Sequence, residues 1–133
     1  MTYRLYRVIQ PVGNIDVAAR FYSAVLRTPG ERVSPGRHYF TCGSTILACY
    51  DPVADGDGIG EGWRHHPNQY LYFATSDLEG TLTRVREAGG EIEAPIDTMP
   101  WGERMFYARD PFGNPISFVD QETLFLGAPV EAT

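Results

Sequence analysis

The sequence has no apolar run approaching the ~20 residues needed to cross a bilayer, only two cysteines in 133 residues, and no block of basic side chains. The first absence excludes a helical membrane span. The N-terminus MTYRLYRVIQ also lacks the apolar core of a secretion signal, so a cytoplasmic location is expected. Eleven scattered basic residues against seventeen acidic ones, with a net charge of −6, offer no surface that tracks a phosphate backbone. Nucleic acid is therefore not an expected partner. Cys42 and Cys49 are expected on two strands of a hairpin turning at Gly43-Ser44, with Cys42 opposite Thr45 and Cys49 opposite His38. An offset of four residues at ~3.4 Å each exceeds the ~7 Å limit for a disulfide. Reduced, half-buried thiols follow, and neither has a sequence-visible partner to activate it as a nucleophile.

Histidine is also scarce, with three in the chain. His65 and His66 are adjacent in a loop, where a pair chelates poorly without a third ligand, and are read as solvated. His38 is expected at a pocket or the surface. The connector around them, DPVADGDGIGEGWRHH (Asp51 to His66), contains DGDG. Matching Asp55 and Asp57 to the third and fifth positions of a calcium loop puts Val53 first and Arg64 last, where carboxylates are required, so calcium is rejected.

What is present is 43% hydrophobic and 13% aromatic residues, enough for one compact domain with a real core. Its elements fall into two similar sets, each strand, helix, then three strands. In the first module (3–52), Tyr3 to Gln10 is a strand, and Asn14 caps a helix from Ile15 to about Arg27. An apolar stripe of Ile15, Ala18, Phe21, Tyr22 and Val25 marks its buried side. Strands near Glu31 to Ser34, His38 to Cys42 and Thr45 to Tyr50 follow. In the second module (68–120), Gln69 to Thr75 is the strand and Asp77 the cap. Leu78, Leu82, Val85 and Ala88 form the stripe, and Gly89-Gly90 ends the helix. Glu91 to Ala94, Arg104 to Ala108 and Ile116 to Val119 complete the set. Asn14 and Asp77 set the offset between modules at 63 residues. A loop (53–67) joins them within a single domain (1–128), and a C-terminal tail (121–133) carries Leu124, Phe125 and Leu126.

The last hairpin, WGERMFYARDPFGNPISFVD (Trp101 to Asp120), has its turn written out residue by residue. Asp110 suits position i of a type I turn, Pro111 presets φ at i+1, and Gly113 leaves the turn with positive φ.

Three segments, VGNIDVAARFYSAVL (Val12 to Leu26), SDLEGTLTRVREAGGEI (Ser76 to Ile92) and PWGERMFYARDPFGNPISF (Pro100 to Phe118), resemble the vicinal oxygen chelate superfamily. That superfamily includes glyoxalase I, extradiol dioxygenases, fosfomycin-resistance transferases and bleomycin-resistance proteins. The resemblance implies an α+β fold of two tandem βαβββ modules, their mixed sheets curling around a cleft, and a homodimer. One departure is Arg27, where the family has Gly; this is expected to move the helix exit to Gly30.

Enzymatic members of the family hold one divalent metal with His, Gln or Glu ligands from the first and fourth strands of each module. The corresponding positions here are Arg7, Leu47 or Ala48, Tyr70 and Ser117. None is a good ligand for a divalent ion, so no metal cofactor is expected. Alternation then turns Leu5, Arg7 and Ile9 toward the cleft from the first strand, Tyr70 and Tyr72 from the fifth, and Ser117 and Val119 from the last. Trp101 is placed to stack across the entrance. Such a lining suits a flat or aromatic ligand with an anionic or carbonyl group that Arg7 grips in a fork. Arg7 has an alternative role in an ion pair with Glu31 or Glu103. A metal-free, small-molecule or drug-binding protein is the expected function. The alternative is a metal-dependent or residual enzyme of the glyoxalase (lyase) or extradiol dioxygenase type.

Overall fold

The computed structural model of the chain describes residues 3–58 and 66–125. Two four-stranded mixed sheets each carry one helix, in the order expected for two βαβββ modules. In the first, β1 (Arg7–Pro11), α1 (Ile15–Leu26), β2 (Glu31–Ser34), β3 (Arg37–Cys42) and β4 (Thr45–Tyr50) give a sheet of order β1-β4-β3-β2. In the second, β5 (Leu71–Thr75), α2 (Leu78–Glu87), β6 (Glu91–Thr98), β7 (Arg104–Arg109) and β8 (Pro115–Asp120) repeat it as β5-β8-β7-β6. The β1–β4 and β5–β8 pairs are parallel, and the others are antiparallel hairpin pairs.

Both helices start where their caps dictate. The Asn14 side chain accepts from the amides of Asp16 and Val17, and Asp77 accepts from the amide of Gly80. The exit of α1 differs from expectation. Arg27 itself takes the left-handed conformation, at φ 57 and ψ 43, so the helix ends at Leu26 and the exit does not move to Gly30. An L-residue there costs about 1–2 kcal/mol. The hairpin of β3 and β4 has the expected register, with His38 opposite Cys49 and Cys42 opposite Thr45, and both thiols are free.

Strand starts differ where the partner strand runs out. β1 begins at Arg7 rather than Tyr3 because β4 begins at Thr45; Arg7 already lies opposite Ile46, leaving Tyr3 to Leu5 beyond the end of β4. Likewise β5 begins at Leu71, opposite Ile116, where β8 has just started. β6 is longer than expected and runs through Pro95 to Thr98, with its register broken between Ala94 and Asp97. Only an edge strand tolerates that proline.

The helix stripes and the helix-facing sides of both sheets form one core. Phe21, Tyr22, Val25, Phe40 and Leu47 from the first module meet Leu78, Val85, Phe106, Ile116 and Phe118 from the second. At the tightest point Gly90 lies against Phe21 and Val85; a Cβ there would sit 2.7 Å from Val85 Cγ1 and 2.9 Å from Phe21 Cε1.

A buried polar latch also ties the modules together. The Asp110 to Asn114 turn forms as read from the sequence, with Gly113 at φ 82 and its amide bonded to the Asp110 carbonyl. The Asp110 carboxylate accepts from the Tyr22 hydroxyl at 2.7 Å, from Asn114 Nδ2 at 3.0 Å and from Gln10 Nε2 at 3.4 Å. Its other oxygen accepts from the amides of Phe112 and Asn114. Asn114 Nδ2 also reaches the Pro11 carbonyl at 2.6 Å. Burial raises the Asp110 pKa, and the surrounding donors oppose that rise.

Candidate functional site

The side of each sheet that faces away from its helix is set by the pleat. In module 1 it carries Arg7 and Ile9 from β1, Ile46 and Ala48 from β4, and Arg37, Tyr39 and Thr41 from β3. In module 2 it carries Tyr70 and Tyr72, Ser117 and Val119, and Met105, Tyr107 and Arg109. The register leaves Ala48 on this open face and sends Leu47 into the core, which resolves the choice between them.

Arg7 is exposed, and its guanidinium lies 5.3 Å from the Tyr6 ring and 5.5 Å from the Tyr39 ring. Its Nη1 donates to the Tyr39 hydroxyl at 2.8 Å. Neither Glu31 nor Glu103 is its partner; Glu103 instead accepts from Trp101 Nε1 and from the amide of Phe125. Most of the Arg7 fork is thus left to solvent. Arg37, further along the same face, lies 4.3 Å from the Tyr50 ring and pairs with Asp55, which also accepts from Ser34 Oγ and the amide of Gly36.

Module 2 presents tyrosines. Tyr70 and Tyr107 meet edge to face at 5.1 Å. The Tyr70 hydroxyl donates to Glu93 and accepts from Arg109 Nη2 at 3.2 Å, while Arg109 Nε donates to Glu93 at 2.7 Å. Burial and then the Glu93 contact raise the Tyr70 phenol. Glu93 is held low: burial works against its charge, but hydrogen bonds from Tyr70 and Arg109 prevail. Partial burial and a hydrogen bond with Tyr107 push Tyr72 up to about 12, although the residue as a whole is 55% exposed. At neutral pH both phenols are therefore hydrogen-bond donors, not bases.

Ser117 and Trp101 behave differently from the tyrosines. Ser117 lies on this side of β8 but is fully buried, and its hydroxyl donates to the Phe106 carbonyl at 3.1 Å. Trp101 projects from the β6–β7 turn, 53% exposed, with its indole N–H bonded to Glu103. The hydrogen bonds and ring contacts of Arg7, Tyr70, Tyr72, Trp101 and Ser117 all stay within their own modules. The two halves of the open face are thus each assembled, and among the described residues no hydrogen bond of these five side chains crosses between them, although Tyr70 and Tyr72 line one cavity with Thr41 and Ile46.

Tyr39, Tyr107, Glu93 and Arg109 complete these faces and were not foreseen. The same alternation applied to β3 and β7 would have found the tyrosines and Arg109. His38 is not at a pocket or the surface: it is buried, with Nε2 against the Pro29 carbonyl at 2.8 Å and Nδ1 accepting from Arg32 Nε at 3.3 Å. His66 is exposed, while His65 lies outside the described residues.

At the positions that the family resemblance associates with a divalent metal stand Arg7, Ala48, Tyr70 and Ser117. These supply a fixed cation, a methyl group, a phenol whose pKa is raised and a hydroxyl already spent on main chain, a set that does not fit such an ion. No group of three His, Cys, Asp or Glu is placed to hold one among the described residues. No described helix is long and apolar enough to cross a membrane.

The arrangement matches known folds across its length. A glyoxalase/bleomycin resistance protein from Albidiferax ferrireducens T118 superposes with a TM-score of 0.73 at 21% identity, covering 86% of this chain and 96% of that one. A glyoxalase-related enzyme from Fulvimarina pelagi gives 0.77 at 19% identity, covering 99% and 98%. A lactoylglutathione lyase from Agrobacterium tumefaciens gives 0.67 at 21%, covering 90% and 94%. No curated protein matches the chain. The family model described as Glyoxalase/Bleomycin resistance protein/Dioxygenase superfamily matches residues 4–118, and the chain belongs to that superfamily.

Proposed function

We propose that the chain is a metal-free binding protein for a small planar molecule carrying a carboxylate or carbonyl group. The observation that carries this is Arg7. It occupies the first-strand position that the family resemblance associates with a metal ligand, stands against two tyrosine rings, and has no carboxylate partner among the described residues. A guanidinium so placed offers a fork to an anionic group, and Tyr70, Tyr72 and Tyr107 offer ring faces and edges for stacking. Ser117 adds shape rather than a free hydroxyl.

In this reading the functional unit is a homodimer. The Arg7 face of one copy lies beside the tyrosine face of the other, which supplies the cleft that a single chain leaves in two parts. Two unpaired thiols accord with a cytoplasmic setting. The test is a binding titration of metal-depleted protein with 2-naphthoate, alongside its neutral analogue naphthalene and a measurement of solution mass. Saturable binding of the carboxylate by a dimer supports the reading. Binding or turnover that requires an added divalent metal overturns it.

A further inference from the structure

The two modules follow one plan, yet the two junctions between them are filled differently. At one, the five-residue turn Asp110 to Asn114 between β7 and β8 reaches β1 and α1 and closes the gap with the polar latch. The equivalent turn of module 1, between β3 and β4, is only Gly43-Ser44. It is too short to reach β5 and α2, and a cavity of about 700 Å³ remains there. That volume is typical of small-ligand sites, which run roughly 300–1,000 Å³.

Its walls are apolar for most of their length. Val8 and Leu47 come from module 1, Leu71 and Phe73 from the free edge of β5, and Val25 and Leu26 from the end of α1. Thr28, Thr41, Thr45, Tyr70 and Tyr72 add polar groups along the slot, and its cation stands on the α2 side. Thr75 and Thr81 hydroxyls lie 3.0 Å apart, and Arg84 lies next to them. Arg84 donates from Nε to the Val25 carbonyl at 3.2 Å and from Nη2 to Thr81 at 3.1 Å. Its Nη1 also forms an ion pair with Asp77 at 3.8 Å, too long for a hydrogen bond, and the Asp77 side chain is 60% exposed. With two of its five N–H groups bonded to neutral acceptors and only a long, exposed ion pair to Asp77, the guanidinium keeps N–H donors for an anion.

We infer that this inter-module slot is a binding site for an aliphatic carboxylate, its chain lying between β1 and β5 and its head on Arg84. The slot does not include Arg7, although Thr41, Ile46, Tyr70 and Tyr72 border both it and the open faces; the inference rests on Arg84 and the apolar walls, not on the Arg7 reading. The shape explains the chemistry required: a long apolar trough accepts methylenes, and the remaining N–H donors of Arg84 bind the head, the Thr81 hydroxyl being already donated to the Asp77 carbonyl. A neutral alcohol of the same length lacks the charge-assisted bond.

The experiment is a calorimetric titration of the full chain with hexanoate, octanoate and decanoate, and with decanol. Each added methylene should tighten binding about fourfold, the gain from burying one CH2. Decanol should bind at least tenfold more weakly than decanoate. Arg84→Gln should erase the difference between acid and alcohol. Because that change also releases the Val25 carbonyl, Thr28→Trp serves as a second variant: it fills the mouth of the slot beside α1 and should abolish binding of the whole series. Arg20→Gln, at an exposed position on α1 outside the slot, should leave decanoate affinity unchanged. Affinity independent of chain length, survival of tight binding in Thr28→Trp, or loss in Arg20→Gln would each overturn the inference.

Discussion

Replacing Asp110 by alanine should destabilise the protein by about 3 kcal/mol. Five donors converge on this carboxylate, from Tyr22, Gln10, the Asn114 side chain and the amides of Phe112 and Asn114. Some retain other partners. Gln10 Nε2 still donates to Tyr22 at 2.8 Å, and Asn114 Nδ2 still reaches Pro11. The Tyr22 proton and the two amides are left without acceptors, each at about 1–3 kcal/mol, less whatever water recovers in the space opened. Against a total stability of order 5–15 kcal/mol this is a large loss. For a chain of 133 residues it corresponds to a fall in Tm of roughly 10 °C. Urea denaturation followed by tryptophan fluorescence and by circular dichroism measures it. Asp110→Asn, which keeps one acceptor oxygen, should lose less. A loss below about 1 kcal/mol for the alanine variant would refute the view that the latch joins the modules. Separate transitions for the two probes would show that each module unfolds alone.

Other expectations are as direct. Arg27→Gly relieves a left-handed L-residue worth about 1–2 kcal/mol and adds unfolded-state entropy worth about 0.4–1, so a thermal scan should show a gain of ~2–4 °C; a fall in Tm would contradict the conformation at α1's exit. Acid titration should show opposing signs. Glu93, Glu79, Asp16 and Asp55 are held below their ordinary range, so they stabilise above about pH 4 and that contribution is lost as pH falls through their lowered values. Asp110 is raised, so its own contribution improves as it protonates on the way down. Glu93→Gln should therefore flatten the acid limb of the stability profile, and an unchanged limb would remove Glu93 from the account. Tyr72→Ala should weaken 2-naphthoate binding by about 2–12-fold, the range of an aromatic contact worth about 0.5–1.5 kcal/mol; no change would take Tyr72 out of the site.

The fold was legible because its signals are local. Asn14 and Asp77 as caps, Gly43-Ser44 as a tight turn and the Asp110 to Gly113 turn each act within a few residues, and each formed as read. Element ends were less legible, since β1 and β5 start where a partner strand starts, many residues away in sequence. The site was legible in part. Period-two alternation put Arg7, Tyr70 and Tyr72 on the sides of their sheets that face away from the helices, because the pleat alone decides that. It gave no information on how deeply Ser117 is covered, on the Glu93 bridge between Tyr70 and Arg109, or on whether the two faces meet. Those depend on neighbours across the sheet. His38 illustrates the same limit, as its burial follows from Pro29 and Arg32 closing over it.

Metal-free capture of a planar carboxylate by the Arg7 face is tested most directly by titrating 2-naphthoate into wild-type and Arg7→Ala protein in the presence of excess EDTA. The account predicts saturable binding to the wild type that EDTA does not alter. It also predicts a loss of at least tenfold in the variant, the low end of a hydrogen bond to a charged group at about 1.5–3 kcal/mol. Equal affinity in the two proteins, or binding that EDTA abolishes, would contradict it.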